Sequence, residues 1–192
     1  MVFLIWLFLL TGCSYHMGTG YDTPNVSIHV PYVKGDQKGL LTQEIIRALA
    51  TESSFPYSEE KSAEWILKVE ILEKEDGTIG YEHVQAKHEP KKSVIPIEGR
   101  INIKAKMTIE DKEANLLFGP YIVLAYTDYD FVQQDSYQDL SFVNTQGQRE
   151  EVLSFSLGQL DSLPSAQEAA LKPLFRKLAE KIVQSLPKGS LP

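Results

Sequence analysis

Apolar and polar residues alternate with period two along several stretches of the chain, and each stretch predicts a strand. Val26-Ser27-Ile28-His29-Val30 puts Val26, Ile28 and Val30 on one face. Pro31 then ends the run, because it lacks the N–H a ladder needs. Trp65–Glu73 sets Leu67, Val69 and Ile71 against Lys68 and Glu70. Ile101–Ile109 carries the cleanest pattern, with Ile101, Ile103, Ala105, Met107 and Ile109 facing one way. Beyond the acidic turn Glu110–Asn115, Tyr121–Tyr129 predicts the paired strand, with Ile122, Val123 and Leu124. Val152–Leu157 predicts a last strand.

Two stretches change to helical spacing. Thr42 is placed to cap a helix running to about Glu52, with Leu41, Ile45, Ala48 and Leu49 on one stripe. Ser165-Ala166-Gln167-Glu168 has the pattern of a capping box, in which serine and glutamate satisfy each other's free amides. Leu171, Leu174, Leu178, Ile182 and Leu186 follow as one apolar stripe before Pro187. Pro173 lies inside it and is expected to kink the helix or mark its real start. Gly35–Gly39 reads as a turn, and Ser53–Ser62, with Pro56, reads as a loop. Glu75–Glu98 is charged and holds Gly77, Gly80, Pro90 and Pro96, so a hairpin connection with a mobile tip is expected there. Asp130–Glu150 is polar and aromatic without a clear period. This order of elements predicts an α+β fold: a mainly antiparallel sheet of four to five strands with both helices packed on one face. One domain over 26–187 suits a chain of 192 residues, followed by a tail over 188–192.

The first residues read MVFLIWLFLL, then Thr11-Gly12-Cys13. The run is too short to span a bilayer core, which takes about 20 residues as a helix. It fits the apolar core of a secretory signal, although the only positive charge ahead of it is the terminal amine. Either the start lies upstream or the signal is atypical. Leu10-Thr11-Gly12-Cys13 resembles the bacterial lipobox. That resemblance implies cleavage after residue 12, acylation of Cys13, a lipidated tether over 13–25 and membrane anchorage through the acyl chains. Cys13 is the chain's only cysteine, so an internal disulfide is excluded. Ser14 stands where an aspartate would favour retention at the inner membrane, so the pattern resembles an outer-membrane lipoprotein facing the periplasm.

Composition narrows the function. Lys plus Arg number 19 against 26 Asp plus Glu, a net charge of −7. Such a chain is poorly suited to nucleic acid, whose binding runs on phosphate neutralisation. The sequence holds no His-Glu-x-x-His, no Gly-x-Ser-x-Gly and no phosphate loop. His83 and His88, beside Glu82 and Glu89, lack zinc-ligand spacing and read as solvated loop histidines. No enzyme activity, metal or cofactor is expected.

One surface pattern does point to binding. Opposite the apolar face of the third strand stand Arg100, Asn102, Lys104 and Lys106, each about 7 Å from the next. The preceding connection adds Lys87, His88, Lys91 and Lys92. A solvated sheet face would look the same. As a binding surface, Arg100, Lys104, Lys106, Lys91 and Lys92 are the candidate contacts for phosphate-bearing anions such as lipopolysaccharide. Tyr121, Tyr126, Tyr129, Phe131, Tyr137 and Phe142 crowd the next part of the chain, either in the core or in an exposed contact loop.

Gly12-Cys13 with Tyr15-His16-Met17, the Val-Ser-Ile-His-Val-Pro strand, the helix over 41–50 and Ala63-Glu64-Trp65-Ile66-Leu67 together resemble the LptE family of lipopolysaccharide-assembly lipoproteins. Two hairpin strands and the C-terminal Leu-x-x-x-Ile-x-x-x-Leu helix extend the likeness over most of the chain. Ser14, and the longer segment from Asp130 to Leu163, depart from the family pattern. The resemblance implies an α+β plug within an outer-membrane β-barrel translocon, assisting lipopolysaccharide assembly. The other reading is a periplasm-facing interaction lipoprotein of another envelope machine, in cell-wall synthesis or secretion.

Overall fold

The alternating run at residues 101–109 becomes the middle of a sheet. In the computed structural model, which describes residues 26–52, 55–85, 92–132, 141–151 and 162–187, it lies within β3, Lys92–Asp111. The other elements are β1 (Ile28–His29), α1 (Leu40–Glu52), β2 (Trp65–Gln85), β4 (Leu116–Asp130), β5 (Ser141–Val143), β6 (Arg149–Glu151) and α2 (Leu163–Gln184). The main sheet has the order β1-β2-β3-β4, and β5 and β6 pair separately. β2, β3 and β4 are antiparallel, whereas β1 runs parallel to β2. The architecture is thus the expected α+β, with one parallel pair added to a mostly antiparallel sheet.

Ile103, Ala105, Met107 and Ile109 are fully buried, together with Leu67. They meet Leu41, Ile45 and Leu49 of α1, and Leu174, Leu178 and Ile182 of α2, in one apolar cluster. Each Ile, Leu and Met among them contributes about 1.5–3 kcal/mol through removal from water. Both helices therefore lie over one face of the sheet. The stripe expected for the last helix is the buried one, from Leu174 through Leu186.

Several local expectations change. Residues 75–98 do not form a long connection: β2 and β3 stay paired out to Gln85↔Lys92. The ladder is interrupted by bulges at Leu72, Ile79 and Ile97, so alternation fails there even though pairing continues. β4 starts at Leu116, directly after the turn, five residues before the alternation becomes visible. α2 begins at Leu163 with Ser162 as its N-cap and Pro164 in its first turn, so Ser165 and Glu168 lie inside the helix. Glu168 instead pairs with Lys38 at 2.5 Å. Pro173 also lies inside α2, which continues through it. At the start of α1 the capping acceptor is the buried Asp36, whose Oδ2 takes the Thr42 N–H at 2.9 Å. The strand expected at Val152–Leu157 falls outside the described residues, as do the signal and tether over 1–25.

Candidate functional site

The face of the sheet turned away from the helices carries three parallel rows of side chains. Its middle row is Arg100, Asn102, Lys104 and Lys106 of β3, the row expected from alternation. β2 supplies an acidic row: Glu70 lies opposite Lys106, Glu73 opposite Lys104 and Glu75 opposite Asn102. The bulge at Leu72 makes this row, because it moves the outward positions of β2 from even to odd numbers. β4 supplies Ile122, Leu124, Tyr126 and Asp128, opposite Lys106, Lys104, Asn102 and Arg100. Ile122, Leu124 and Tyr126 are all exposed, so the third row is an apolar strip open to contact.

The cations of the middle row have carboxylate neighbours across the strands. Arg100 Nε and a terminal nitrogen donate to the two oxygens of Asp128 at 2.6 and 2.8 Å. This bidentate bond holds the Asp128 carboxyl below, and the Arg100 guanidinium above, its ordinary range. Lys106 Nζ is 2.5 Å from Glu70 Oε2, and Lys34 Nζ is 2.5 Å from Glu70 Oε1. Hydrogen bonds from these two lysines lower the Glu70 carboxyl to about 2. Lys104 is the loosest of the row, 4.0 Å from Glu73. The face is thus a lattice of matched charges beside an apolar strip. All of these pairs are solvated, and such pairs add little to stability.

Tyr126 joins the two kinds of row. The Arg100 guanidinium carbon lies 4.6 Å and the Lys177 ammonium 4.5 Å from its ring centroid. From α2, Lys177 and Lys181 also donate to the backbone carbonyls of Tyr126 (3.3 Å) and Leu124 (2.7 Å). Among the described residues β4 is the edge of the sheet, and these lysines occupy acceptors that a further strand would otherwise use.

The expected basic patch is brought together only in part. Arg100, Lys104 and Lys106 share one face, but Lys92, paired with Gln85, lies eight residues before Arg100, about 26 Å along the strand. Lys87, His88, Lys91 and Cys13 lie outside the described residues. His83 sits opposite Val94 on the exposed ribbon rather than in a loop, and no cluster among the described residues could hold a metal. The aromatic group divides. Tyr129 and Phe131 are buried with ring centroids 5.9 Å apart, while Tyr121 and Tyr126 are exposed.

Alternation alone missed an open cleft of about 470 Å³ at the β1 end of this face, lined by Tyr32, Lys34, Lys68, Glu70, Lys106 and Glu110 among others. Its lysines come from three segments. They meet because the chain after β1 runs along the edge of β2, with the Lys34 N–H on the Val69 carbonyl and the Ile71 N–H on the Lys34 carbonyl. The visible signals were Lys34 beside a proline-ended strand and Lys68 on the polar side of β2. Among the described residues no helix is long and apolar enough to cross a membrane.

A family profile described as LptE, lipopolysaccharide-assembly, matches residues 26–186. Among solved structures, a minor lipoprotein from Acinetobacter baumannii is 15% identical, with a TM-score of 0.47 over 86% of this chain and 97% of that one. The rare lipoprotein B from Shewanella oneidensis is 12% identical, with a TM-score of 0.43 over 82% of this chain and 92% of that one. No curated protein matches the chain.

Proposed function

The chain belongs to the LptE lipopolysaccharide-assembly family, and on that premise we propose that it is a non-catalytic lipoprotein of the outer membrane. In this reading it is anchored through acylated Cys13 and seated in or against a β-barrel translocon, on the periplasmic side or within the lumen, where it assists lipopolysaccharide assembly. The observation that carries the reading is the outer face of the sheet. Ile122, Leu124 and Tyr126 are exposed side by side, next to rows of paired charges. A contiguous apolar strip rimmed by polar groups suits a protein wall better than water.

Arg100, Lys104 and Lys106, with Lys91 and Lys92, are the proposed contacts for the anionic groups of lipopolysaccharide. Of Arg100, Lys104 and Lys106, Lys104 has the loosest carboxylate partner. An arriving phosphate therefore competes least with the protein's own charges at that position. Binding of lipopolysaccharide to the purified chain, at low and high salt, tests this. Lys104→Glu with Lys106→Glu is expected to weaken binding, and salt is expected to weaken the wild type. Equal affinity in both proteins, with circular dichroism unchanged, would remove these residues as contacts. Metabolic labelling with a fatty acid tests the anchor: Cys13→Ala is expected to abolish labelling, and undiminished labelling would falsify it.

A further inference from the structure

On the other side of the sheet, the seam between α1 and α2 forms a groove with charged walls. Its two halves, open clefts of about 360 and 340 Å³, share Glu44 and Arg47 and so run on into each other. Helical spacing builds the walls, because residues four apart stack one turn above another, about 6 Å apart. On α1 the row is Gln43, Arg47 and Thr51, and on α2 it is Lys172, Arg176 and Glu180. Gln43 lies in the half that holds Lys172, and Thr51 in the half that holds Glu180, so the two helices run in the same direction. Ala48 and Phe175, both buried, form the floor.

The cations of this groove are lightly held. A terminal nitrogen of Arg47 lies 3.1 Å from a Glu44 oxygen, and Arg176 Nε lies 3.2 Å from Glu180. Neither contact is the two-bond fork that Arg100 makes with Asp128. A guanidinium has five N–H donors, so most of them remain available to a guest. Lys172 has no carboxylate partner among the described residues. The side chains of Arg47 and Arg176 are 49% and 62% exposed, whereas that of Glu44 is only 12% exposed and sits low in the groove. Three cations thus stand against two carboxylates, in a chain whose net charge is −7.

We propose that this groove binds an extended acidic peptide of a protein partner, with acidic residues at alternate positions. Alternate side chains of an extended chain stand about 7 Å apart on one side, which matches the one-turn step from Lys172 to Arg176. Two such acidic side chains bond Lys172 and Arg176, and Arg47 reaches the second from the other wall. The remaining polar groups favour a peptide over a polyanion. Glu44 and Glu180 repel a chain of phosphate or sulfate groups, whereas a peptide backbone presents N–H groups that these carboxylates accept. The Gln43 amide donates to the peptide carbonyls. The groove faces away from Ile122, Leu124 and Tyr126, so a peptide here leaves that strip free, and the proposal does not rest on the barrel reading.

The test is a fluorescence anisotropy titration of the full mature chain into a labelled, end-blocked peptide of four Ser-Glu repeats. Saturable binding is expected, weaker at high salt. A peptide of the same composition, built as two Glu-Glu-Ser-Ser repeats, has no glutamates at alternate positions and is expected to bind more weakly. Each charge-assisted bond to the guest is worth about tenfold in affinity. Lys172→Gln, which breaks no pair inside the protein, is therefore expected to weaken binding about tenfold, and Arg47→Gln with Arg176→Gln about a hundredfold. Lys74→Gln with Lys112→Gln removes the same charge from exposed positions elsewhere and is expected to leave binding unchanged. Thermal melts check that each variant is folded. Absence of saturable binding, affinity retained in Lys172→Gln or in the folded double arginine variant, or equal binding of the two peptides would overturn the proposal. So would displacement by tripolyphosphate at lower concentration than by unlabelled peptide, which would mark a general polyanion site.

Discussion

Tyr129 of β4 donates its hydroxyl to Asp76 of β2 across 2.6 Å, bridging over β3. Gln167 of α2 donates to the other Asp76 oxygen, also at 2.6 Å, so three elements meet at one carboxylate. Gly99 makes the approach possible, since a Cβ there would lie 2.3 Å from the Tyr129 ring. Burial and the neighbouring Asp76 both raise the Tyr129 phenol above its ordinary value. The folded state therefore holds this proton more tightly than the unfolded chain, and the stability it contributes is present below about pH 10 and lost above it. Tyr129→Phe is expected to lower stability by about 0.5–1.5 kcal/mol at neutral pH. Its stability should also fall less steeply above pH 10. Urea denaturation at several pH values measures both effects.

Glu70 carries the corresponding effect at acid pH. Its carboxyl is lowered from 4.5 to about 2 by Lys106 and Lys34. A lowered value means that the stability it contributes is present above about pH 4.5 and is lost as pH falls toward 2. Glu70→Gln is expected to flatten the stability profile across that window while leaving the fold intact. Denaturation midpoints of both proteins between pH 5 and 2 check this, and parallel profiles would contradict it.

Lys177 and Lys181 guard the edge of the sheet through the Tyr126 and Leu124 carbonyls. Removing both side chains frees acceptors on an edge strand whose outward side chains include Ile122 and Leu124. Lys177→Ala with Lys181→Ala is expected to raise self-association in sedimentation velocity runs, with helix content unchanged. A variant that sediments like the wild type would show that the lysines do not protect the edge.

Much of this fold could be read from residues whose two faces meet different solvents. On β3, Ile101 through Ile109 face the helices and Arg100 through Lys106 face water, so period two is unbroken and the row was legible. On β2 the period breaks at Leu72. The bulge there brings Glu73 and Glu75 onto the face of Glu70 and supplies the partners of the basic row. Alternation within one strand cannot report what stands opposite on the next, so Arg100 and Lys106 read as open cations although Asp128 and Glu70 hold them. Between Ile79 and Ile97 the β2–β3 ribbon exposes apolar residues such as Tyr81 and Val94, so its pattern lacks a strand period and predicts a hairpin connection instead of paired strands. The cleft of Lys34, Lys68 and Lys106 was hidden for another reason: it depends on residues 33–34 lying against the edge of β2, a parallel contact that no turn signals.

The proposed function requires a barrel partner. The most direct test is purification of the natively expressed chain from cell membranes in mild detergent, followed by measurement of what accompanies it and in what ratio. One large outer-membrane β-barrel is expected in equimolar complex, lost when Ile122, Leu124 and Tyr126 are together replaced by Asp, Asp and Lys in a chain that still folds. A chain that purifies alone, or with components of a cell-wall or secretion machine and no barrel, would contradict it.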